Sequence, residues 1–304
     1  MNNLKSFKKA LGMMSLALVC SSANAGQIVT EWDFSTWAEF TGSTFSTGNG
    51  ATTQLANELS WGWDDLTADF TNATGDASTN RSAITLGTGT IDDTRLGGGA
   101  VSGSIDTYIN GSGGTDGMGI SATHWNNPLN SAFSTLTSGI LTDYLTLQAS
   151  SPYVGSIEDA PTLAIDFKFL ETPNNGTAGV CLNGVSTNAY PSGCPDIFGF
   201  ESSLTTGIPF EYDENVYGLN ILVFDADGNA ATFSQLGAGY CGALGLSDTC
   251  VGLVTAENAT TSFQFGVNIN YLREASVPEP STLLLLAGGL MLVGASKRKI
   301  NVLK

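Results

Sequence analysis

The only histidine of the chain, His124, lies in the segment Thr123-His124-Trp125-Asn126. An imidazole changes charge near neutral pH and can act as a general base or as a metal ligand. Both roles need orienting partners, and no second histidine exists to complete a metal pair. The structural alternative is that Thr123, His124 and Asn126 hydrogen-bond to backbone groups where a strand leaves its sheet. Trp125 would then cover apolar surface, and we favour this structural role.

A second candidate is the segment Asp225-Ala226-Asp227-Gly228-Asn229, whose oxygen-bearing side chains alternate as at the start of a calcium loop. The EF-hand pattern fails, because glycine is the fourth rather than the sixth residue and Leu236 stands where a glutamate is needed. An Asp-Gly pair after an apolar run is also a strong hairpin signal. We therefore predict a turn, with a Ca²⁺ site on Asp225, Asp227 and Asn229 as the alternative and no other cofactor.

Four cysteines follow residue 25: Cys181, Cys194, Cys241 and Cys250. An even number of cysteines in an exported chain indicates disulfides. Three pairings are possible, and we choose Cys181 with Cys194 and Cys241 with Cys250, because both pairs close short local loops. A zinc site is not expected, since neither pair has close metal spacing and only one histidine is available.

Paired acidic residues are a third candidate, since glycoside hydrolysis uses two carboxylates held at a fixed separation. Adjacent side chains on a strand point to opposite faces, so neighbouring acids are more typical of solvated charge. We predict no catalytic residues and no enzymatic activity, and keep a glycoside hydrolase as a remote alternative. The adjacent pairs are Asp64-Asp65, Asp92-Asp93 and Glu158-Asp159.

The elements that position these residues are predicted to be strands. Charged residues make up 13% of the chain, about half the usual fraction. Abundant Gly, Ser, Thr and Asn suit short strands joined by tight turns. Two stretches alternate most clearly between apolar and polar residues. Their apolar positions are Leu163, Ile165, Phe167 and Phe169, and Phe263, Phe265, Val267, Ile269 and Tyr271.

Shorter strand candidates are QIVTEWDF, SAITLGTG, GGAVSGSI, LTDYLTLQ, DIFGFES and VYGLNILVF. Many short antiparallel strands with one solvated face favour a sandwich or jelly roll. The sequence therefore predicts an all-β fold, an antiparallel β-sandwich that is jelly-roll-like, as a single secreted domain over residues 26–276. One short helical turn is expected within residues 234–246.

The region 26–276 is strongly acidic. It holds every acidic residue of the chain except Glu279, while its only basic residues are Arg81, Arg95, Lys168 and Arg273. The negative electrostatic field of these residues repels nucleic acid and attracts cations, so nucleic-acid binding is excluded. The carboxylates either keep the protein soluble, or some of them bind Ca²⁺ and bridge the protein to acidic polysaccharide.

Residues 1–25 have the layout of a secretory signal peptide. A basic start at residues 5–9 precedes an apolar stretch at residues 11–20, and Ala23 and Ala25 form a small-x-small cleavage site before Gly26. We expect recognition by the Sec translocon and cleavage by signal peptidase, with the mature chain starting at Gly26.

The C-terminal segment has the features of a short membrane anchor. Residues 282–296 carry no charge and, as a helix, cover about 22 Å of a ~30 Å hydrocarbon core. The basic residues Lys297, Arg298 and Lys299 follow and mark the cytoplasmic side by the positive-inside rule. A transmembrane helix over 282–296 is therefore predicted, with the preceding domain outside the inner membrane.

The motif in front of this helix is Val277-Pro278-Glu279-Pro280. With the apolar helix and the basic cluster, residues 277–304 resemble the PEP-CTERM sorting signal of Gram-negative bacteria. The resemblance implies processing by an exosortase, a membrane transpeptidase, after transient anchoring. It further implies delivery to the cell surface or the extracellular matrix.

Further segments resemble the THxN family of PEP-CTERM proteins. Thr123, His124 and Asn126 match the signature that names this family, which has no assigned biochemical activity. The other matching segments are LSWGW at 59–63, FLETPN at 169–174, DIF at 196–198 and FEYDENVY at 210–217.

These observations predict an exported structural or adhesive protein associated with the cell surface or with exopolysaccharide, as in a biofilm matrix, without catalysis. The alternative is a Ca²⁺-assisted carbohydrate-binding module of the extracellular matrix, with polysaccharide as its partner.

Overall fold

A computed structural model describes residues 26–65, 78–87, 100–152, 158–159, 162–172, 181, 193–201, 207–224, 230–231 and 234–274. In chain order the elements are β1 (Glu31–Phe45), β2 (Ala51–Leu55), β3 (Glu58–Gly62), β4 (Arg81–Gly87), β5 (Val101–Asp106), β6 (Gly117–Asn126), β7 (Leu136–Ser151), β8 (Glu158–Asp159), β9 (Leu163–Leu170), β10 (Asp196–Phe200), β11 (Ile208–Tyr212), β12 (Asn215–Phe224), β13 (Ala230–Ala231), β14 (Ser234–Gln235), α1 (Ala238–Leu244), β15 (Val251–Thr255) and β16 (Ala259–Glu274).

The strands form two antiparallel sheets, which confirms the predicted all-β sandwich. The first sheet has the order β14-β15-β10-β9-β7-β1-β5, and β8 pairs with a part of β7 that β9 does not reach. The second sheet has the order β11-β12-β16-β6-β4-β3-β2, with β13 beside β12. The chain passes from the first sheet to the second between β15 and β16, so the short connection at residues 256–258 joins the two layers.

The two most regular alternating stretches form strands as predicted. In β9 the side chains of Leu163, Ile165, Phe167 and Phe169 are buried, and those between them are exposed. In β16 the predicted apolar face is buried from Phe263 to Ile269. Each face therefore packs against the opposite sheet, as the period of two requires.

The core between the sheets is rich in aromatic rings. Trp32 of β1 and Tyr217 of β12 are fully buried and meet edge to face, with ring centroids 5.2 Å apart. Their polar atoms are paired, since Trp32 Nε1 donates to Thr107 Oγ1 over 3.0 Å and the backbone N–H of Val29 donates to the Tyr217 hydroxyl over 2.9 Å. Such a pair adds about 0.5–1.5 kcal/mol beyond the burial of its area.

A second, smaller core lies on the other face of the first sheet. The predicted short helix is α1, whose Leu244 packs over β10 with Ile197 and Leu236. Gly199 and Gly252 are register partners beneath it, and a Cβ on Gly199 would come within 2.3 Å of the Leu244 side chain. Glycine at position 199 therefore allows the helix to approach the sheet closely.

The beginning of the described chain meets the turn between β11 and β12, beside the last described strand. The backbone N–H of Gln27 donates to Asp213 Oδ2 over 3.2 Å, and Asn215 Nδ2 donates to the Gln27 carbonyl over 3.1 Å. Asn215 is also the register partner of Glu274 on β16.

Both predicted targeting segments lie outside the described residues. They are the signal peptide at residues 1–25 and the apolar segment at residues 282–296. Within the described ranges, the structure contains no helix of the length and apolar character that a membrane crossing requires.

Candidate functional site

The buried faces of three strands continue into polar residues at one end of the sandwich. Glu171 follows Phe169 at a spacing of two just past β9, Asp196 precedes Phe198 on β10, and Asn126 follows His124 on β6. Because side chains two apart share a face of a strand, the three polar groups point between the sheets. The apolar core is thus closed at this end by oxygen-bearing side chains.

Three carboxylates meet there. One oxygen each of Glu171, Asp196 and Glu257 lies within 4.8 Å of the others. Glu257 comes from the connection between β15 and β16, and both Asp196 and Glu257 are buried. Part of Glu171 is exposed, but its Oε1 atom is not accessible to solvent. We call Glu171, Asp196 and Glu257 the carboxylate cluster.

Hydrogen bonds hold the cluster in place but leave several of its carboxylate oxygens without a donor in the described part of the chain. Trp61 Nε1 donates to Glu171 Oε2 over 3.1 Å, and the backbone N–H of Thr172 donates to Asp196 Oδ1 over 2.7 Å. Among the described residues, no donor reaches the remaining carboxylate oxygens with normal geometry. These buried oxygens are Glu171 Oε1, Asp196 Oδ2, Glu257 Oε1 and Glu257 Oε2.

Asn126 adds a neutral oxygen at the same place. Its side chain lies beside the Glu257 carboxyl and donates through Nδ2 to the carbonyl of Ala256 over 3.1 Å. The residue is only 1% exposed, and within the described part of the chain its Oδ1 atom has no hydrogen-bond partner. Buried polar atoms are normally paired, so this oxygen requires an explanation.

Burial raises the pKa of each carboxyl in the cluster. Desolvation is the largest cause in all three cases, and it raises the pKa of Glu257 to about 8 and holds the pKa values of Glu171 and Asp196 well above their usual range. Repulsion between neighbouring carboxylates raises all three pKa values further. The hydrogen bonds from Trp61 and Thr172 oppose the upward shifts in the pKa values of Glu171 and Asp196, but no basic side chain in the described ranges does. The cluster must therefore keep protons or gain a cation from outside the chain.

His124 lies next to this cluster but is not one of its ligand atoms. The ring is fully buried among Trp61, Phe169 and Phe198, and the nearest of these ring centroids, that of Phe198, is 5.1 Å away. Desolvation lowers the pKa of His124 to about 3, so the imidazole is neutral. These contacts support the structural role over a general base.

The predicted partners of the Thr-His-Trp-Asn segment are partly different. Asn126 bonds to backbone at the end of β6 as expected. His124 Nδ1 instead lies 2.9 Å from the Thr255 hydroxyl, and Thr123 Oγ1 lies 3.0 Å from the Ser262 hydroxyl. The reason is alternation: His124 points inward toward the first sheet, whereas Thr123 points to the other face of its own sheet, where the side chain of Ser262 on β16 is its direct neighbour.

Both disulfides have the predicted pairing. Cys181 pairs with Cys194, and Cys241 pairs with Cys250. The Cys194 carbonyl accepts a hydrogen bond from the Thr172 hydroxyl, two residues before Asp196 in the sequence. The first disulfide thus braces the segment that carries Asp196.

The calcium loop predicted at Asp225, Asp227 and Asn229 lies outside the described residues. The strands on either side of it pair antiparallel, with Phe224 opposite Ala230.

The outer face of the first sheet carries an exposed aromatic pair. Trp37 of β1 and Tyr144 of β7 are register partners, and their rings stack with centroids 4.2 Å apart at an angle of 13°. Trp37 is 40% exposed, and the Tyr144 hydroxyl donates to Glu39 Oε1 over 3.0 Å. This pair presents a flat apolar surface with a polar edge.

An open groove of about 690 Å³ lies farther along the same sheet, lined in part by Ser43, Asp166, Lys168 and Glu201. Ser43 is six residues beyond Trp37 on β1, about 20 Å at the usual rise of a strand. The aromatic pair and the groove therefore belong to one extended surface.

Comparison with known proteins bears on the C-terminal tail. Residues 276–299 match the family model of the PEP-CTERM protein-sorting motif. The chain carries a PEP-CTERM sorting signal. This confirms the resemblance carried by Val277, Pro278, Glu279 and Pro280, together with the basic residues Lys297, Arg298 and Lys299. No curated protein matches the chain.

The PEP-CTERM signal implies an exported protein whose C-terminus is anchored in the membrane before an exosortase processes it. Its residues, and Ala23 and Ala25 of the predicted cleavage site, lie outside the described ranges, whereas Gly26 is the first described residue. Membership of the THxN family stays a prediction.

Proposed function

We propose that this PEP-CTERM protein is a non-catalytic structural or adhesive component of the cell surface or of exopolysaccharide. The observation that carries the proposal is the sorting motif at residues 276–299, because it delivers the folded domain to that destination. Sec export and signal-peptidase cleavage before Gly26 belong to the same proposal.

The structure is consistent with a role that needs no catalysis. The carboxylate cluster is the strongest concentration of perturbed acids in the described residues, and its unpaired oxygens are inaccessible to solvent. A polysaccharide cannot contact buried oxygens, so these acids are poorly placed to act on a glycosidic bond. The fully buried, neutral His124 is equally poorly placed.

Fractionation of the producing cells tests the destination. The full-length chain is expressed in its own host. The C-terminal residue of the protein recovered from the surface and matrix fractions is then determined by mass spectrometry. We expect matrix protein that lacks Lys304, and membrane-retained, unprocessed protein when Pro278 and Pro280 are both changed to alanine. The control is Thr260→Ala, at an exposed position of β16. An intact Lys304 on matrix protein would contradict sorting by cleavage.

The absence of catalysis has its own test. The purified protein is incubated with the host polysaccharide, and new reducing ends are counted. We expect none above the rate without protein. Release that scales with protein concentration would show that the domain is a glycosidase.

The exposed Trp37–Tyr144 pair favours a second candidate, a carbohydrate-binding module. Stacked aromatic rings on a sheet can cover the apolar face of a sugar ring, while neighbouring polar groups bind its hydroxyls. Glu39 lies at the edge of the pair, and the polar groove continues the surface.

Retention on the host polysaccharide distinguishes this candidate. For one lost stacking contact we expect Trp37→Ala to weaken retention by about tenfold or more, and Trp37→Phe to keep most of it. Equal retention of Trp37→Ala and the wild type would exclude the aromatic pair as the binding surface.

A further inference from the structure

We infer that Glu171, Asp196, Glu257 and Asn126 form a Ca²⁺ site that joins the two sheets of the sandwich. This inference goes beyond the proposed function, because it concerns how the domain is held together and not where it is delivered. It also differs from the calcium loop predicted at residues 225–229.

The ligand atoms are of the type that Ca²⁺ prefers. Ca²⁺ binds six to eight oxygens at about 2.3–2.6 Å, mixing carboxylates with neutral carbonyl oxygens and water. Here three carboxylates place an oxygen each within 4.8 Å of one another, and two oxygens on one such ion lie at most about 5 Å apart. The cluster therefore already has the spread of a calcium coordination sphere.

Asn126 provides an independent reason for a cation. Its Oδ1 atom is buried and has no partner among the described residues, and it belongs to a side chain that is not acidic. A proton on a neighbouring carboxyl gives this oxygen a donor but leaves other buried oxygens of the cluster without a partner. A metal ion satisfies this oxygen and the four unpaired carboxylate oxygens together, which a proton shared between Asp196 and Glu257 does not.

The position of the ligands explains what the ion would do. Glu171 and Asp196 come from β9 and β10 of the first sheet, Asn126 from β6 of the second, and Glu257 from the connection between the sheets. An ion bound to all four closes the end of the sandwich. Charge accounts for the choice of a divalent ion, since its two positive charges offset most of the three negative charges of the carboxylates at a buried position.

Metal content and thermal unfolding of the full-length chain in detergent test the site. After purification without chelator, we expect about one Ca²⁺ per chain by elemental mass spectrometry. Adding Ca²⁺ to chelated protein should raise Tm by about 5–10 °C at concentrations a hundredfold above Kd. Mg²⁺ should give a smaller shift, because it demands tighter octahedral geometry.

Neutral isosteric variants separate binding from folding. Glu257→Gln and Asp196→Asn should lose both the bound Ca²⁺ and the shift in Tm. In EDTA they should be as stable as the wild type or more stable, because each removes a buried charge. This reversal between EDTA and Ca²⁺ cannot arise from a variant that merely folds badly.

Two controls locate the ion. Asp143→Asn removes a buried carboxylate elsewhere in the core and should keep the calcium response, as should Asp227→Asn in the predicted loop. A calcium response that survives Glu257→Gln but disappears in Asp227→Asn would overturn the inference. So would wild-type protein that binds no Ca²⁺ and whose Tm does not respond to it. Neither result would bear on sorting through the C-terminal motif.

Discussion

His124 Nδ1 lies 2.9 Å from the hydroxyl oxygen of Thr255, which belongs to the opposite sheet. Thr255 ends β15 and is the register partner of Asp196, so this contact connects the Thr-His-Trp-Asn segment to the strand pair that carries the carboxylate cluster. The histidine therefore acts as a polar link across an aromatic core. Its buried Nε2 atom has no partner among the described residues. The contact at Nδ1 is therefore the one hydrogen bond that the imidazole makes within the described part of the chain.

The first prediction concerns this bond. Thr255→Val keeps the shape of the side chain but leaves the buried imidazole without its partner, so the free energy of unfolding should fall by about 1–3 kcal/mol. Chemical denaturation followed by tryptophan fluorescence measures it. Thr260→Val, at an exposed position of β16, is the matched control and should change stability little. Equal stability of the two variants would mean that the contact is dispensable.

A second prediction follows from Asp143, which lies buried in the core of β7 and accepts a hydrogen bond from the Thr36 hydroxyl. Desolvation raises the pKa of Asp143 from 3.8 to about 6. In that pH window the folded state binds more protons than the unfolded state, so Asp143 makes stability fall as pH rises from about 4 to about 6.

Asp143→Asn keeps an acceptor for Thr36 but cannot ionise. As pH rises from about 4 to about 6, the free energy of unfolding of the variant should increase relative to that of the wild type. Above about pH 6 the variant should be more stable by about 3 kcal/mol. Unfolding measured from pH 4 to pH 7 gives the profile. Asp166→Asn, on the exposed face of β9, serves as the control. A gap between the Asp143→Asn variant and the wild type that is the same at every pH would refute the ionisation of Asp143 as its cause.

The third prediction concerns the Cys241–Cys250 disulfide, which ties α1 to the start of β15. Replacing both cysteines by alanine should lower the free energy of unfolding by about 2–3 kcal/mol, because the unfolded chain regains the freedom of a short loop. Denaturation of the variant and of the reduced wild type gives the comparison. The wild type should lose at least as much on reduction, since reduction also opens Cys181–Cys194. A double variant as stable as the oxidised wild type would argue against this stabilisation.

A fourth prediction compares two glycine-to-alanine substitutions that should change the stability of the protein in opposite directions. A Cβ on Gly252 would lie 1.9 Å from the Phe198 carbonyl oxygen across the β10–β15 ladder, whereas one on Gly242 meets nothing within 4 Å. Gly252→Ala should therefore destabilise the protein by about 3 kcal/mol. Gly242→Ala, within α1, should stabilise it by up to about 1 kcal/mol. Thermal unfolding compares them, and a neutral Gly252→Ala would show that the ladder can shift to accept a methyl group.

The fold was predictable because β9 and the central part of β16 alternate regularly between apolar and polar residues. The buried faces of β9 and β16 follow directly from the pattern of Leu163 to Phe169 and of Phe263 to Ile269. β11 and β15 were not predicted. β11 contains a proline, Pro209, although its residues alternate between less and more exposed positions, and β15 contains a glycine, Gly252, and does not alternate.

The carboxylate cluster was missed for a different reason. Glu171, Asp196 and Asn126 each lie two residues from a buried side chain, of β9, β10 and β6 respectively. This spacing was the one feature of the sequence that could have indicated that they point between the sheets. A linear reading does not show that the three faces end at the same place, because their strands belong to different sheets. Glu257 lies in a turn and follows no periodic pattern, so only the folded chain brings it to the others.

The contacts that join Gln27, Asp213 and Asn215 place the start of the described chain beside the end of β16, and the sorting motif begins two residues after that strand. The carboxylate cluster lies at the other end of that strand, where Ala259 pairs with Asn126, about 50 Å away at the usual rise per residue. While the tail remains inserted, the end of β16 that carries Glu274 is the end next to the anchor along the chain. The full length of β16 then separates the carboxylate cluster from that end, so processing of the tail and binding of the inferred ion involve opposite ends of the strand.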